Sequence, residues 1–373
     1  MDYLKLPPAG HWESTPEWAR LQRKAGVPGI FVQPFDFGDE AYLAAPKTIE
    51  NRIHPYLTPY SKKLPAGFVA VIPHGRVWGA NGAVLTPEGM LLSDVSQEYD
   101  ETLHAMVGGE RHPIFRQQAE ADPIHVKGTA VALAFCGSYN YFHWLYDVIA
   151  RWEMLAESGI SYDYAILNPN PYGPFVEQTL QGLGVPEKKI LRTQPGLCLE
   201  ADRLIVPSLI LSSHYPAWAT EALRKRFLPN GSPTPEHVGR LYISRQNASA
   251  RSVVNEAEVA EFLEGFGFRS VVLERLPVDK QIALFASSKV IVAPHGAGLT
   301  NLAFCEPGTK VIEAFHPEHV MPTYWMISNH RKLDYYMMYG QRQTAEKDGF
   351  AGLEDMAIGL DTLERTLRLA GID

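Results

Sequence analysis

The sequence predicts an α/β protein of two domains with a cleft between them, preceded by a β-rich N-terminal extension. Three observations carry this prediction. The chain has 373 residues, 46% hydrophobic and 20% charged, which is more apolar mass than one core normally gathers. From about residue 129, strand-like apolar runs alternate with longer helical segments, the pattern of a parallel sheet with crossover helices. The alternation is interrupted at Pro229-Asn230-Gly231-Ser232-Pro233-Thr234-Pro235 and restarts beyond it, so this turn-rich stretch reads as an interdomain linker.

Residues 1 to about 65 are rich in proline and aromatics and weakly periodic, so they are expected to wrap a domain surface without a core of their own. Short runs at 68–72, 76–78, 83–85 and 90–92, separated by Gly and Pro, read as a β-meander added to the first domain. In that domain, strand-like 131–135 precedes helix-like 141–155, 164–167 precedes 175–183, and 203–206 precedes 217–227. In the second, strand-like 241–243, 271–273, 290–293 and 311–315 enclose helix-like 255–264 and 279–287. The expected division is 1–128 as extension and meander packed on the first domain, and 129–230 as a first Rossmann-like domain. Residues 238–345 form a second such domain, and 346–373 a C-terminal helical segment.

Charge and cysteine usage narrow the partners. The chain carries 34 basic and 42 acidic residues, net −8, with no long run of either sign. That argues against a nucleic-acid surface or a polybasic membrane patch, while leaving room for a local pocket for a small anion. The N-terminal residues MDYLKLPPAGHWESTPEW lack a basic region followed by an apolar core, and no apolar stretch is long enough to span a bilayer. The expectation is a soluble, cytoplasmic chain. Cys136, Cys198 and Cys305 are widely spaced, which fits a reducing compartment and supplies no zinc-ligand pair. In such a compartment the sequon Asn247-Ala248-Ser249 has no meaning.

In open parallel sheets ligands bind beyond the carboxyl ends of the strands, so the residues there are read first. Ser244-Arg245-Gln246-Asn247 follows the first strand of the second domain, with Arg251 shortly behind, and an arginine there can grip a phosphate bidentately. Ala293-Pro294-His295-Gly296-Ala297-Gly298-Leu299-Thr300-Asn301 follows a later strand. Its glycines allow close backbone approach, the helix starting near Leu299 offers N–H groups, Thr300 or Asn301 can cap it or bond a phosphate, and His295 points into the same space. Gly296-x-Gly298-x-x-Asn301 is also a partial dinucleotide fingerprint, with Glu313 placed to hold ribose hydroxyls.

A third cluster lies in the first domain, at Cys136 to Asp147. A helix starting near Asn140 buries Leu145, Val148, Ile149 and Trp152, and sets His143, Asp147 and Arg151 at i, i+4 and i+8 on the opposite side. A histidine oriented by a carboxylate is a sound general base for a hydroxyl, and Tyr139, Tyr141 and Trp144 beside it resemble a sugar-stacking surface. Cys136 at the strand end reads as a small buried residue before it reads as a nucleophile. There is no Asp-x-Asp, P-loop, nucleophile elbow or His-Glu-x-x-His helix, and no metal ligand set is expected.

Together these segments resemble glycosyltransferase family 61. The matching stretches are YNYFHWLYD at 139–147, LYISRQNASARSVVNE at 241–256, Gln281 with the following helix, APHGAGLTNLAF at 293–304 and PGTKVIE at 307–313, within a resemblance covering roughly 66–316. The family, in a form like its bacterial members, implies a GT-B architecture of two Rossmann-like domains. It further implies a nucleotide-sugar donor, UDP-linked, held mainly by the C-terminal domain as co-substrate, and inverting transfer without a metal or other cofactor. The acceptor is then a hydroxyl of a glycan or other molecule, as in polysaccharide biosynthesis. On that resemblance Arg245, Arg251, His295, Gly296, Ala297, Gly298, Leu299, Thr300 and Asn301 hold the diphosphate and Glu313 the ribose. Tyr139, Tyr141, Trp144 and Arg151 line the acceptor, and Asp147 or His143 is the base. The rival readings are an NAD(P)-dependent oxidoreductase and a catalytically silent sugar- or nucleotide-binding module.

Overall fold

The computed structural model describes residues 8–38, 41–62, 66–100, 102–103, 105–117, 122–169, 173–210, 215–228, 239–248, 250–343 and 354–373. They fall into two compact units, Met1–Gly38 with Leu64–Ser212, and Asp39–Lys63 with Ser213–Asp373. Both are mixtures of helix and strand. Among the described residues no helix is long and apolar enough to cross a membrane.

The first unit is built on a ten-stranded sheet. At its heart Ile124–Ala132 pairs in parallel with Tyr164–Leu167 on one edge and Cys198–Pro207 on the other, in the register Ala130↔Tyr164 and Ala130↔Leu204. The far edge of Cys198–Pro207 pairs antiparallel with Gly67–Pro73 and Arg76–Trp78. The meander therefore extends the sheet of this unit and is not laid upon it. Nor does the N-terminal segment merely wrap the surface. Ser14 caps the helix Thr15–Lys24 by accepting from Glu17 N, and Trp18 from that helix sits 1% exposed in the same apolar cluster as Ile72, Ala130, Ile166 and Leu204.

In the second unit six strands are all parallel, in the order Arg269–Val271, Arg240–Ile243, Val290–Pro294, Lys310–Phe315, Asp334–Tyr339 and Lys47–Thr48. The expected Rossmann-like alternation is present here, with three differences. The strand read at 271–273 ends at Val271, where the chain tightens into the turn Leu273–Arg275. Beyond 316, where the sequence reading placed no element, lie the helix Thr323–His330 and the strand Asp334–Tyr339, whose Tyr335 to Met338 are buried. The sixth strand comes from the N-terminal segment and is tied in by the Lys47–Asp334 ion pair and by Trp325 Nε1 donating to Ala44 O at 2.8 Å.

The linker read at 229–235 lies outside the described residues. The helix Ala217–Phe227, expected with the first domain, belongs to the second unit. Its Arg224 donates to Phe304 O and pairs with Glu306 at 2.5 Å, so it is anchored to the layer behind the His295 loop. Of the C-terminal segment, Leu360–Leu369 is a helix whose Leu363 and Leu367 enter the core beside Ile312 and Met338.

Candidate active site

In the first unit the chain leaves Ile124–Ala132 and turns at Cys136-Gly137-Ser138, with Ser138 N donating to Phe135 O. Asn140 then caps a helix as expected, its Oδ1 accepting from Phe142 N at 2.8 Å. Leu145, Val148, Ile149 and Trp152 are buried, as the periodicity requires. His143 Nδ1 lies 2.7 Å from Asp147 Oδ2. A carboxylate only accepts, so the proton sits on Nδ1 and the Nε2 lone pair is left for chemistry. The His143 side chain is 33% exposed and Asp147 only 1%. Gly137 makes room for the ring, since a Cβ there would stand 2.9 Å from His143 Cγ and Cδ2.

Three expectations about this helix are corrected. From Trp144 to Ile149 it widens into a π-helical turn, so the 3.6-residue count from His143 to Arg151 fails and the arginine rotates inward. Arg151 is 1% exposed and donates to the carbonyls of Ala132, Leu133, Asp147 and Pro207. Burial pulls its guanidinium down to about 10 while the Asp147 charge opposes that shift. It is a bracket between helix and sheet, and no acceptor reaches it. Trp144 is likewise buried, its Nε1 donating to Thr179 Oγ1 at 2.8 Å. Of the expected aromatic surface, Tyr139 is 58% exposed and Tyr141 packs edge-on against Phe175. Burial first, and then the Glu98 and Asp147 carboxylates, push the Cys136 thiol up to about 12, so it keeps its proton, in line with the reading of a small structural residue.

In the second unit Arg245 follows the strand Arg240–Ile243, its backbone N–H held by Glu256 Oε1 at 2.7 Å. Its Nε and Nη2 donate to the carbonyls of Arg251 and Ala250 at 3.1 and 2.6 Å. Nη1 lies against Gly296, where a Cβ would stand 2.0 Å from it. Gly296 thus admits a guanidinium. Arg251 holds a left-handed φ of 54°, a strained conformation for a side chain of this size.

His295 ends the neighbouring strand and stacks on Phe315 at 5.3 Å, with His319 edge-on at 5.4 Å. Its Nδ1 lies 2.5 Å from Glu313 Oε1, and Tyr335 donates to Glu313 Oε2 at 2.5 Å. Burial pushes the Glu313 carboxyl up to about 8, and burial followed by the Arg251 and Arg245 charges holds the imidazole well below its ordinary value. Charging both partners separately is unfavourable, so the pair shares one proton and is neutral as a whole. With that proton in the Nδ1–Oε1 bond, Nε2 carries a hydrogen and is a donor.

Glu313 therefore does not hold a ribose. It is 0% exposed, and His295 and Tyr335 occupy its two oxygens. The missing side chain of Gly298 makes room for packing and not for a ligand, because a Cβ there would lie 2.6 Å from Leu273 Cδ1. These two findings remove the ribose anchor and the close-approach glycine from the dinucleotide reading. Leu299, Thr300 and Asn301 are buried, with Thr300 Oγ1 donating to Ala297 O and Asn301 Nδ2 to Gln281 Oε1. They lock the short helix Ala297–Phe304 and do not point at an anion. What remains for a ligand is the backbone N–H of Ala297 and Gly298, which precede the bond from Leu299 N to Gly296 O. His319, Tyr335 and Tyr324, whose ring centroid lies 5.0 Å from that of His295, were not singled out from sequence. His319 is readable as the second histidine after a strand end, whereas the tyrosines are placed only by packing.

Residues 141–312 match a family model described as Glycosyltransferase 61. The EGF domain-specific O-linked N-acetylglucosamine transferase of Drosophila melanogaster is 32% identical over 89 residues, 23% of this chain and 17% of that protein. Beta-1,2-xylosyltransferase RCN11 of Oryza sativa subsp. japonica is 28% identical over 90 residues, 22% and 17% of the two chains. Beta-1,2-xylosyltransferase of Arabidopsis thaliana is 25% identical over 107 residues, 25% and 20%. The matches thus span a fifth or less of these relatives' length. The solved structure of the bacterial glycosyltransferase TibC from enterotoxigenic E. coli covers 83% of this chain and 80% of its own at 11% identity, with a TM-score of 0.26, too distant a likeness to carry an argument. The family match spans the dyad, the arginine loop and the His295 segment, so residues 141–312 carry this chain's likeness to the glycosyltransferase 61 family.

Proposed function

We propose that the protein is an inverting glycosyltransferase that moves a sugar from a UDP-linked donor to a hydroxyl of a glycan or other acceptor, without a metal ion. One observation carries the reading. Arg245, Arg251, His295 and His319 gather beyond the carboxyl ends of parallel strands, and burial first, then the charges of both arginines, opposes protonation of both histidines. Such a cluster is held at an electrostatic cost that a bound diphosphate relieves, and its field stabilises the charge that grows as the leaving group departs.

The chemistry rests on the two groups of residues. The acceptor hydroxyl gives its proton to His143 Nε2, its oxygen forms a bond to the anomeric carbon, and the bond from that carbon to the diphosphate oxygen breaks with its electron pair. Attack from the face opposite the leaving group inverts the centre. Asp147 orients His143 and stabilises the imidazolium. Arg245, His295 Nε2–H and the N–H groups of Ala297 and Gly298 receive the diphosphate. The two α/β units are read as the halves of a GT-B enzyme, with the second unit as the donor half, and polysaccharide assembly as the setting.

The test is a thermal-shift panel of UDP-, GDP- and CMP-linked sugars. At a hundred times Kd a ligand adds about 2.7 kcal/mol, a rise of several degrees for a chain of this size. A rise with a UDP-sugar that Arg245→Ala abolishes supports the reading, and no rise with any of the panel overturns it.

A further inference from the structure

With Arg151 and Trp144 buried, the acceptor needs another wall, and the first unit supplies one. A cavity opens between the meander and the end of the strand Ile124–Ala132, lined by Trp78, Asn81, Gln97, Glu98, Gln117 and Phe135 among others. Its volume of about 70 Å³ is several times the roughly 10–15 Å³ that holds one water.

Its wall is pre-set. Asn81 Nδ2 donates to both oxygens of Glu98 at 2.9 Å, and Tyr99 N to Oε1 at 3.1 Å. Asn168 braces Asn81 Oδ1 at 3.3 Å and Ala80 O at 2.9 Å through Nδ2, and accepts from Phe135 N at 2.8 Å. A carboxylate accepts about four hydrogen bonds, so Glu98 Oε2 keeps capacity for a hydroxyl. The amides of Gln97 and Gln117 take no side-chain partner among the described residues. Trp78 Nε1 is buried with no acceptor there.

Among the described residues the lining contains no Lys or Arg, and burial holds the His112 imidazole down to about 4, so it is neutral. Among the described lining residues Glu98 is then the one charge, and an anionic ligand meets it without compensation. Donors, acceptors and an aromatic wall around a single carboxylate suit a neutral polyol. The site also adjoins the dyad, since Phe135 lines the cavity and its ring centroid is 5.7 Å from that of His143.

We propose that this cavity binds one neutral pyranose residue of the acceptor, with Glu98, Gln97 and Gln117 as its hydroxyl-binding side chains. Its role as an acceptor subsite rests on the transferase reading above. The full chain is titrated with the methyl pyranosides of xylose, glucose, galactose and mannose, and with methyl glucuronide, followed by saturation-transfer NMR. At least one neutral glycoside is expected to bind, and Glu98→Ala and the cavity-filling Gln97→Trp to weaken it at least tenfold. Methyl glucuronide is expected to bind at least tenfold more weakly than methyl glucoside. Melting curves check the fold, and Gln97→Trp at a half-buried position keeps the test valid where Glu98→Ala disturbs the Asn81 network. The proposal is overturned where no neutral glycoside binds, where binding survives both variants, or where the glucuronide binds as well as the glucoside. UDP-sugar shifts on the same samples separate the two readings: intact shifts without glycoside binding remove the cavity alone, and glycoside binding without shifts removes the transferase.

Discussion

Glu313 lies 2.5 Å from His295 and fixes which nitrogen of that imidazole carries its hydrogen, and so what His295 offers to the proposed diphosphate site. Below about pH 8 Glu313 keeps its proton in the shared bond, and His295 Nε2–H donates. As pH rises through that value the proton is lost, Nδ1–H turns to the carboxylate, and Nε2 presents a lone pair to the diphosphate. Donor affinity is therefore expected to be full below about 8 and to fall above it, measured as UDP-sugar Kd against pH. Glu313→Gln keeps an N–H toward Nδ1 and a carbonyl toward Tyr335, so its alkaline limb is expected to vanish with affinity near wild type. A limb that persists in Glu313→Gln assigns the titration to another group.

The dyad predicts a division of labour. His143→Ala is expected to lower kcat by about a hundred-fold to ten-thousand-fold, the range for a lost general base. Asp147→Ala removes the carboxylate that orients and stabilises the imidazolium but leaves Nε2 able to accept, so the same parameter is expected to fall less. Near-normal turnover of both variants in folded protein would place the base elsewhere.

Gly296 predicts that backbone space controls an arginine. A methyl at this position meets Arg245 Nη1 at 2.0 Å, too close for both to stay. Gly296→Ala is therefore expected to reproduce the donor-KM increase of Arg245→Ala, at least about tenfold for a lost charged hydrogen bond. Steady-state kinetics with varied donor measure it, and an unchanged KM would mean that Arg245 does not grip the donor from this position.

Arg151 predicts a stability effect without a specificity effect. Removing it leaves carbonyls of Ala132, Leu133 and Pro207 short of donors in the core. Arg151→Met is expected to cost about 3–5 kcal/mol, the scale for breaking a buried charged network, in denaturant unfolding. The acceptor KM of the folded fraction should stay unchanged, and an increase there would restore Arg151 to the acceptor site.

The local pattern of the second unit was legible because each strand is a short apolar run ending in an informative residue. Val290–Pro294 leads to His295 and Arg240–Ile243 to Arg245, and parallel topology places both at one sheet edge. The Asn140 cap and the His143–Asp147 pair were legible for the same reason, since both are local spacings. Arg151 was misread because a π turn is not written in hydrophobic periodicity, and a long cation looks the same in sequence whether water or four carbonyls surround it.

What the sequence by itself determined was the set of chemical groups, the alternation of strand and helix, and the short-range pairs that spacing dictates. Tertiary structure alone decided the use of each group. Glu313 looked like a ribose ligand at a strand end, but pairing of Val290–Pro294, Lys310–Phe315 and Asp334–Tyr339 brings His295 and Tyr335 to its two oxygens. The meander joined the first unit's sheet, and Lys47–Thr48 the second's, through partners far away in the chain. Burial and long-range hydrogen bonding set the charge state and reach of a side chain, and neither is a property of the residues beside it in sequence.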